Sequence, residues 1–136
     1  MTNQENQIYI KLKKLLNNSY AEYSKFKTAA ILKTDKGEFC GVNVENSSSG
    51  ATVCAERNAI FNAITNGSKK FIEINLISNS KLLNIVPCGM CLQVMTEFFK
   101  SNTIVNVYNI DGKITRYKFC DLLPYAFTKK ELKANR

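Results

Sequence analysis

Cys54-Ala55-Glu56 is followed further along the chain by Pro87-Cys88-Gly89-Met90-Cys91, in a sequence of 136 residues without a histidine. Three thiolates can hold a zinc ion and leave its fourth position open for water. A carboxylate two residues from one ligand can then move protons for that water. Without histidine, base work falls to a carboxylate and any zinc is held mainly by sulfur. Both restrictions point to Glu56 beside Cys54, Cys88 and Cys91. Cys88 and Cys91 alone would also suit a redox pair or half of a structural zinc knuckle. A knuckle needs a fourth protein ligand. No histidine supplies it, and Cys40 and Cys120 have no ligand-like spacing, which leaves an open site for a single zinc.

Three thiolates leave such a site with a net negative charge, a poor setting for acidifying water unless something drains charge from the sulfurs. Arg57 directly follows Glu56. Its guanidinium is expected to hydrogen-bond one or two thiolates, while position alone equally allows a surface arginine on a helix. Cys54 opens one predicted helix, and Cys88 and Cys91 share the first turn of another. The positive end of each helix dipole favours thiolate. The unpaired first-turn amides are expected to donate to the sulfurs.

The elements that must position these residues are legible in outline. Ile8, Leu12, Leu15 and Leu16 recur at helical spacing. Thr28 to Leu32 and Glu38 to Val44 flank Asp35-Lys36-Gly37 as a hairpin, and Asn46 to Gly50 is a polar loop. Cys54 to Ala63 reads as helix ending at Gly67, Phe71 to Ile77 as strand, and Cys88 to Phe99 as helix after Pro87. Ile104 to Tyr108 and Ile114 to Tyr117 are two further strands around Asp111-Gly112, with a short C-terminal helix beyond. Helices alternating with strands in the middle predict parallel pairing there. The expected fold is α/β: a three-layer α/β/α sandwich on a mixed five-stranded sheet, in one domain over 1–136. The functional residues fall where strands run into helix N-termini.

The net charge is +8, but Lys and Arg are heaviest at the ends, at Lys11, Lys13 and Lys14 and at Lys129, Lys130, Lys133 and Arg136. This reads as solvated helix faces rather than a nucleic-acid groove, and no aromatic–basic interleaving supports single-strand binding. Met1 to Gln7 is polar, so no secretory signal is expected, and the apolar runs are too short for a bilayer. A cytoplasmic, reducing setting follows, in which clustered cysteines bind metal or do chemistry. Cys40 and Cys120 are expected to be buried small apolar side chains.

C-A-E followed by P-C-x-x-C resembles the zinc deaminase signature. The chain resembles the small cytidine deaminases that act on free nucleosides, and the likeness runs nearly its whole length. Tyr23-Ser24-Lys25-Phe26 looks like the family's Y-S-x-F, and Gly41 to Asn46 like its G-x-N-V-E-N. Cys54-Ala55-Glu56-Arg57 matches C-A-E-R, and Pro87 to Gln93 matches P-C-G-x-C-x-Q. Glu97-Phe98 and Leu122-Leu123-Pro124 with Phe127 match later motifs.

The resemblance implies hydrolytic deamination of cytidine and deoxycytidine in pyrimidine salvage. It implies zinc on Cys54, Cys88 and Cys91, activating a water for attack on C4 of the cytosine ring. Glu56 would protonate N3 and pass a proton to the departing ammonia. The backbone at Ala55 would read the pyrimidine edge, Asn43 and Glu45 would bind the ribose 3′-hydroxyl, and Phe26 would pack near the base. Phe127 would reach a neighbour's site in a homotetramer. From the residues alone, Asn43 and Glu45 at i and i+2 face one side of an extended segment and could bind a diol, or be two solvated polar groups. Phe26 and Phe127 would otherwise be core aromatics.

The sequence departs from the family at Ser49, where Tyr is frequent, at Leu92, where Arg is frequent, and at Lys27-Thr28-Ala29 in place of Pro-Val-Gly. The Ser49 loop leaves a second reading open: a deaminase of a modified cytidine or a blasticidin S-like aminoacyl nucleoside. Neither nucleic acid nor membrane is an expected partner.

Overall fold

Thr2 and Glu5 cap the first helix reciprocally: the Glu5 amide donates to Thr2 Oγ1 at 3.1 Å, and the Thr2 amide to Glu5 Oε1 at 2.8 Å. This starts α1 (Asn3–Leu16), whose Ile8, Leu12 and Leu16 are buried on one stripe. The computed structural model describes residues 1–134; Asn135 and Arg136, the latter in the basic C-terminal run, lie outside the described residues. After α1 come β1 (Thr28–Thr34), β2 (Gly37–Val42), a 3-10 turn at Ser49–Ala51, α2 (Ala55–Thr65) and β3 (Phe71–Ser78). Then follow α3 (Gly89–Phe98), β4 (Ile104–Tyr108), β5 (Ile114–Lys118), α4 (Phe119–Leu122) and α5 (Lys129–Ala134).

The five strands form one mixed sheet in the order β2-β1-β3-β4-β5. Among these strands β3 and β4 pair in parallel, joined through α3, and the other neighbours are antiparallel. The β1–β2 hairpin closes on Asp35 and Lys36, with Thr34 opposite Gly37 at φ 114°. Predicted parallel pairing around α2 does not occur, because β1 lies between β2 and β3.

Both sheet faces are covered. Ala30, Leu32, Ile74, Leu76, Val105 and Val107 pack with α2 and α3. Ala29, Ile31, Ile77 and Tyr108 pack with Ile8, Leu12 and Leu16 of α1. This alternation along β1 gives the three-layer sandwich. Its α1 layer also buries Asn75 against Asn106, whose Nδ2 donates to Asn75 Oδ1 at 2.9 Å.

Cys40 and Cys120, expected to be buried, are both exposed. Cys40 lies on the edge strand β2, where Lys11 and Leu15 of α1 adjoin it without covering it, and Cys120 sits in α4, whose buried residue is its neighbour Phe119. The single predicted C-terminal helix is two short ones, α4 and α5. The lysines at 11, 13, 14, 129, 130 and 133 are exposed, as solvated helix faces require. No helix among the described residues is long and apolar enough to cross a membrane.

Candidate active site

Cys54 and Cys88 hold the N-cap positions of α2 and α3, each with an extended backbone at the last non-helical residue. Cys91 lies one turn into α3 and is fully buried. The three sulfurs lie within 4.8 Å of one another, and Cys54 Sγ and Cys88 Sγ are 3.8 Å apart. A tetrahedral zinc with bonds of ~2.3 Å separates its sulfur ligands by about 3.8 Å. The donor set therefore fits zinc in both chemistry and spacing.

The amides of the first turns do not serve the cap sulfurs as expected: neither Cys54 nor Cys88 makes a side-chain cap hydrogen bond. Their side chains turn toward each other across the gap between the two helices. The Arg57 guanidinium supplies the counter-charge instead, donating from Nη2 to Cys54 Sγ at 3.4 Å. The surface-arginine alternative is excluded, since Arg57 Nε is buried and has no partner among the described residues. Hydrogen bonding from the Cys91 thiol, then from Arg57 and Cys88, brings the Cys54 thiol down to about 5. The adjoining Cys54 sulfur and burial push Cys91 upward.

Glu56 follows on the first turn of α2 and is 7% exposed. Burial pushes its carboxyl up to about 7, with the Cys54 charge adding to the effect. Position in the fold explains how a carboxylate comes to lie there. Gly41 of β2 lets α2 approach so closely that a Cβ at 41 would sit 2.4 Å from both the Ala55 carbonyl oxygen and the Ala59 nitrogen. A glycine inside a strand can signal such an approach; the motif reading named Gly41 but gave it no packing role.

Cys54, Cys88 and Glu56 line a cleft of about 210 Å³ with Phe26, Asn43 and Glu45. Its floor comes from the C-terminal ends of β3 and β4, at Leu76 to Ser78 and Val107. Thr52, Ser78, Ile85 and Val86 also line it and carried no sequence signal. No lysine or arginine lines it among the described residues. Ala55 is fully buried behind it, and Phe127 lies outside it, half exposed, its carbonyl accepting from Gln93 Nε2 at 2.8 Å. Leu92 is buried in the α2–α3 core, so no polar group is called for there.

Asn43 and Glu45 are busier than expected. Asn43 Oδ1 accepts from the Thr28 amide at 2.9 Å and from the Ser19 hydroxyl, and Nδ2 donates to the Phe26 carbonyl at 2.7 Å. Glu45 Oε1 accepts from the Tyr23 and Ser24 amides at 2.9 and 3.0 Å, and Oε2 from the Ser24 hydroxyl. The reading of two solvated polar groups is thereby overturned. Both residues pin the segment that carries Phe26.

Residues 2–107 match the family described as the cytidine and deoxycytidylate deaminase zinc-binding region. The chain belongs to this family. A cytidine deaminase of Halalkalibacterium halodurans is 38% identical over 84% of this chain and 86% of its own length. One from Sporosarcina psychrophila is 36% identical over 88% of each. The crystal structure of a cytidine deaminase from Burkholderia pseudomallei superposes with a TM-score of 0.83 at 38% identity, over 93% of this chain and 100% of that one. Membership makes this a zinc-binding deaminase, and the three-cysteine cluster could hold one metal ion.

Proposed function

We propose that the protein deaminates cytidine and deoxycytidine to uridine and deoxyuridine, releasing ammonia. The observation that carries this reading is the buried Glu56 carboxyl facing a small cleft beside the cysteine trio. Cys54, Cys88 and Cys91 would hold the zinc, which supplies Lewis-acid activation of a water near neutral pH. Glu56 then moves the protons. One water proton ends on N3 of the ring, the other on the amino group leaving C4, and the water oxygen becomes the C4 carbonyl. Arg57 offsets the sulfur charge, and the Ala55 backbone reads the pyrimidine edge.

A nucleoside rather than a nucleotide is supported by the lining. A phosphate calls for a cation, and the cleft offers the Glu45 carboxylate instead. Asn43 has one of its two amide protons free of scaffold bonds, and Glu45, which can accept about four bonds, accepts three within the described residues. A sugar hydroxyl can accept from the first and donate to the second. Phe26 forms the apolar wall for the base.

Phe127, exposed and tied to α3 outside its own cleft, suits contribution to a neighbour's site in a homotetramer. We place the enzyme in cytoplasmic pyrimidine salvage, with no nucleic-acid partner. The test is a panel of cytidine, deoxycytidine, deoxycytidine monophosphate and blasticidin S, followed by ultraviolet absorbance. Turnover of the two nucleosides at least tenfold above the others is expected. A preference for the monophosphate or for blasticidin S would overturn the substrate assignment.

A further inference from the structure

Phe26 reaches the cleft wall from the connection between α1 and β1, and the residue before it is unusual. Lys25 has a φ of 61°, a left-handed backbone that an L side chain adopts only at a cost. Something must hold it there. Asn79, the first residue past β3, does so from the neighbouring strand end. Its Nδ2 donates to the Lys25 carbonyl at 2.9 Å, and its Oδ1 accepts from the Lys27 amide at 3.1 Å. Its own amide donates to the Lys27 carbonyl at 3.1 Å. The backbone is therefore bonded on both sides of Phe26, while Asn43 takes the Phe26 carbonyl itself. Asn79 also begins the connection that passes Ile85 and Val86 of the cleft and ends at Cys88.

We propose that Asn79 is a positioning residue for the substrate pocket: it closes the backbone around Phe26 and ties that wall to the loop leading to Cys88. The inference rests on the nucleoside reading, because Phe26 is the group that would touch the base. Asn79 is itself exposed, so its replacement leaves the core intact. Asn79→Asp keeps the acceptor for Lys27 and loses the donor to Lys25.

Amide hydrogen exchange, cytidine kinetics and zinc content are measured on the wild-type protein, on Asn79→Ala and Asn79→Asp, and on Phe26→Ala with and without Asn79→Ala. Loss of two side-chain bonds should speed exchange in residues 25–28 by roughly tenfold, with α1 and β3 unchanged. KM should rise by a similar factor while kcat stays within about twofold, with about one zinc per chain retained. Asn79→Asp should fall between the two. In the Phe26→Ala background, Asn79→Ala should add nothing to KM, the non-additivity of residues acting through one another. Unchanged exchange in Asn79→Ala, or an equal rise in KM without Phe26, would overturn the proposal. Faster exchange in a protein whose wild type leaves cytidine untouched would uphold the clamp and overturn the nucleoside reading.

Discussion

Replacing Gly41 with alanine tests whether the approach of β2 to α2 positions the site. The new Cβ would stand 2.4 Å from the Ala55 carbonyl oxygen and 2.4 Å from the Ala59 nitrogen. Ordinary contact begins near 3.4 Å, so the helix must retreat by about 1 Å. Both opposing atoms are backbone, so no rotamer change relieves the clash. Overpacking of this kind costs about 1–3 kcal/mol. For a chain of this size each kcal/mol lowers Tm by roughly 3–5 °C. The retreat displaces Cys54 and Glu56 at the start of α2 relative to Cys88 and Cys91 at the start of α3. Metal–ligand distances tolerate about 0.2 Å, and a misplacement of ~1 Å at a reacting group costs on the order of 100-fold in rate. Gly41→Ala should therefore lose most of its zinc and at least tenfold in cytidine turnover, besides melting earlier. Gly50→Ala is the control, since a Cβ there meets nothing within 4 Å; it should keep zinc and Tm. A Gly41→Ala protein with wild-type Tm, zinc and turnover would refute the reasoning.

Glu56→Gln should fold and bind zinc while turnover drops by about 10²–10⁴, the range for removing a positioned proton donor and acceptor; undiminished kcat would remove Glu56 from the chemistry. Arg57→Ala should cost roughly 10–100-fold in activity or zinc affinity, and a metal-exchange assay beside kinetics would tell which. With zinc bound, a thiol reagent should react rapidly only at the exposed Cys40 and Cys120, and chelation should abolish turnover and release the remaining thiols; rapid labelling of Cys54 or Cys88 in the holoenzyme would contradict metal ligation. Glu45 is held below the usual carboxylate range, first by the Ser24 hydroxyl and then by the Ser24 amide. A depressed folded value means its support of the 23–26 segment is complete above about 4.3, the ordinary carboxyl value, and is lost as pH falls through the lower folded one. Protection in that segment, taken against the intrinsic amide exchange rate at each pH, should stay constant from neutrality to about pH 5; loss of protection already at pH 6 would refute the assignment.

The metal trio was readable because both halves sit at helix starts with local signals: Pro87 before the Cys88 cap, and the 54–56 run opening α2. The α1 stripe at Ile8, Leu12 and Leu16 and the bounds of β4 followed from periodicity for the same reason. The insertion of β1 between β2 and β3 rests on long-range pairing, which no local pattern encodes. α4 spans four residues, barely one turn, too few to show a helical period. The scaffold duties of Asn43 and Glu45 depend on partners 15 to 24 positions upstream. Asn79 lies more than fifty positions from the carbonyl it holds. Exposure of Cys40 depends on the place of β2 at the sheet edge, a property of assembly rather than of sequence neighbourhood.

The most direct test of the central claim is cytidine-to-uridine conversion measured on protein whose zinc is quantified in the same preparation. Turnover with about one zinc per chain is expected, the stoichiometry of an open three-cysteine site, with loss of both on chelation and recovery when zinc is returned. Full zinc occupancy with no conversion of cytidine or deoxycytidine, or turnover that persists without zinc, would contradict it.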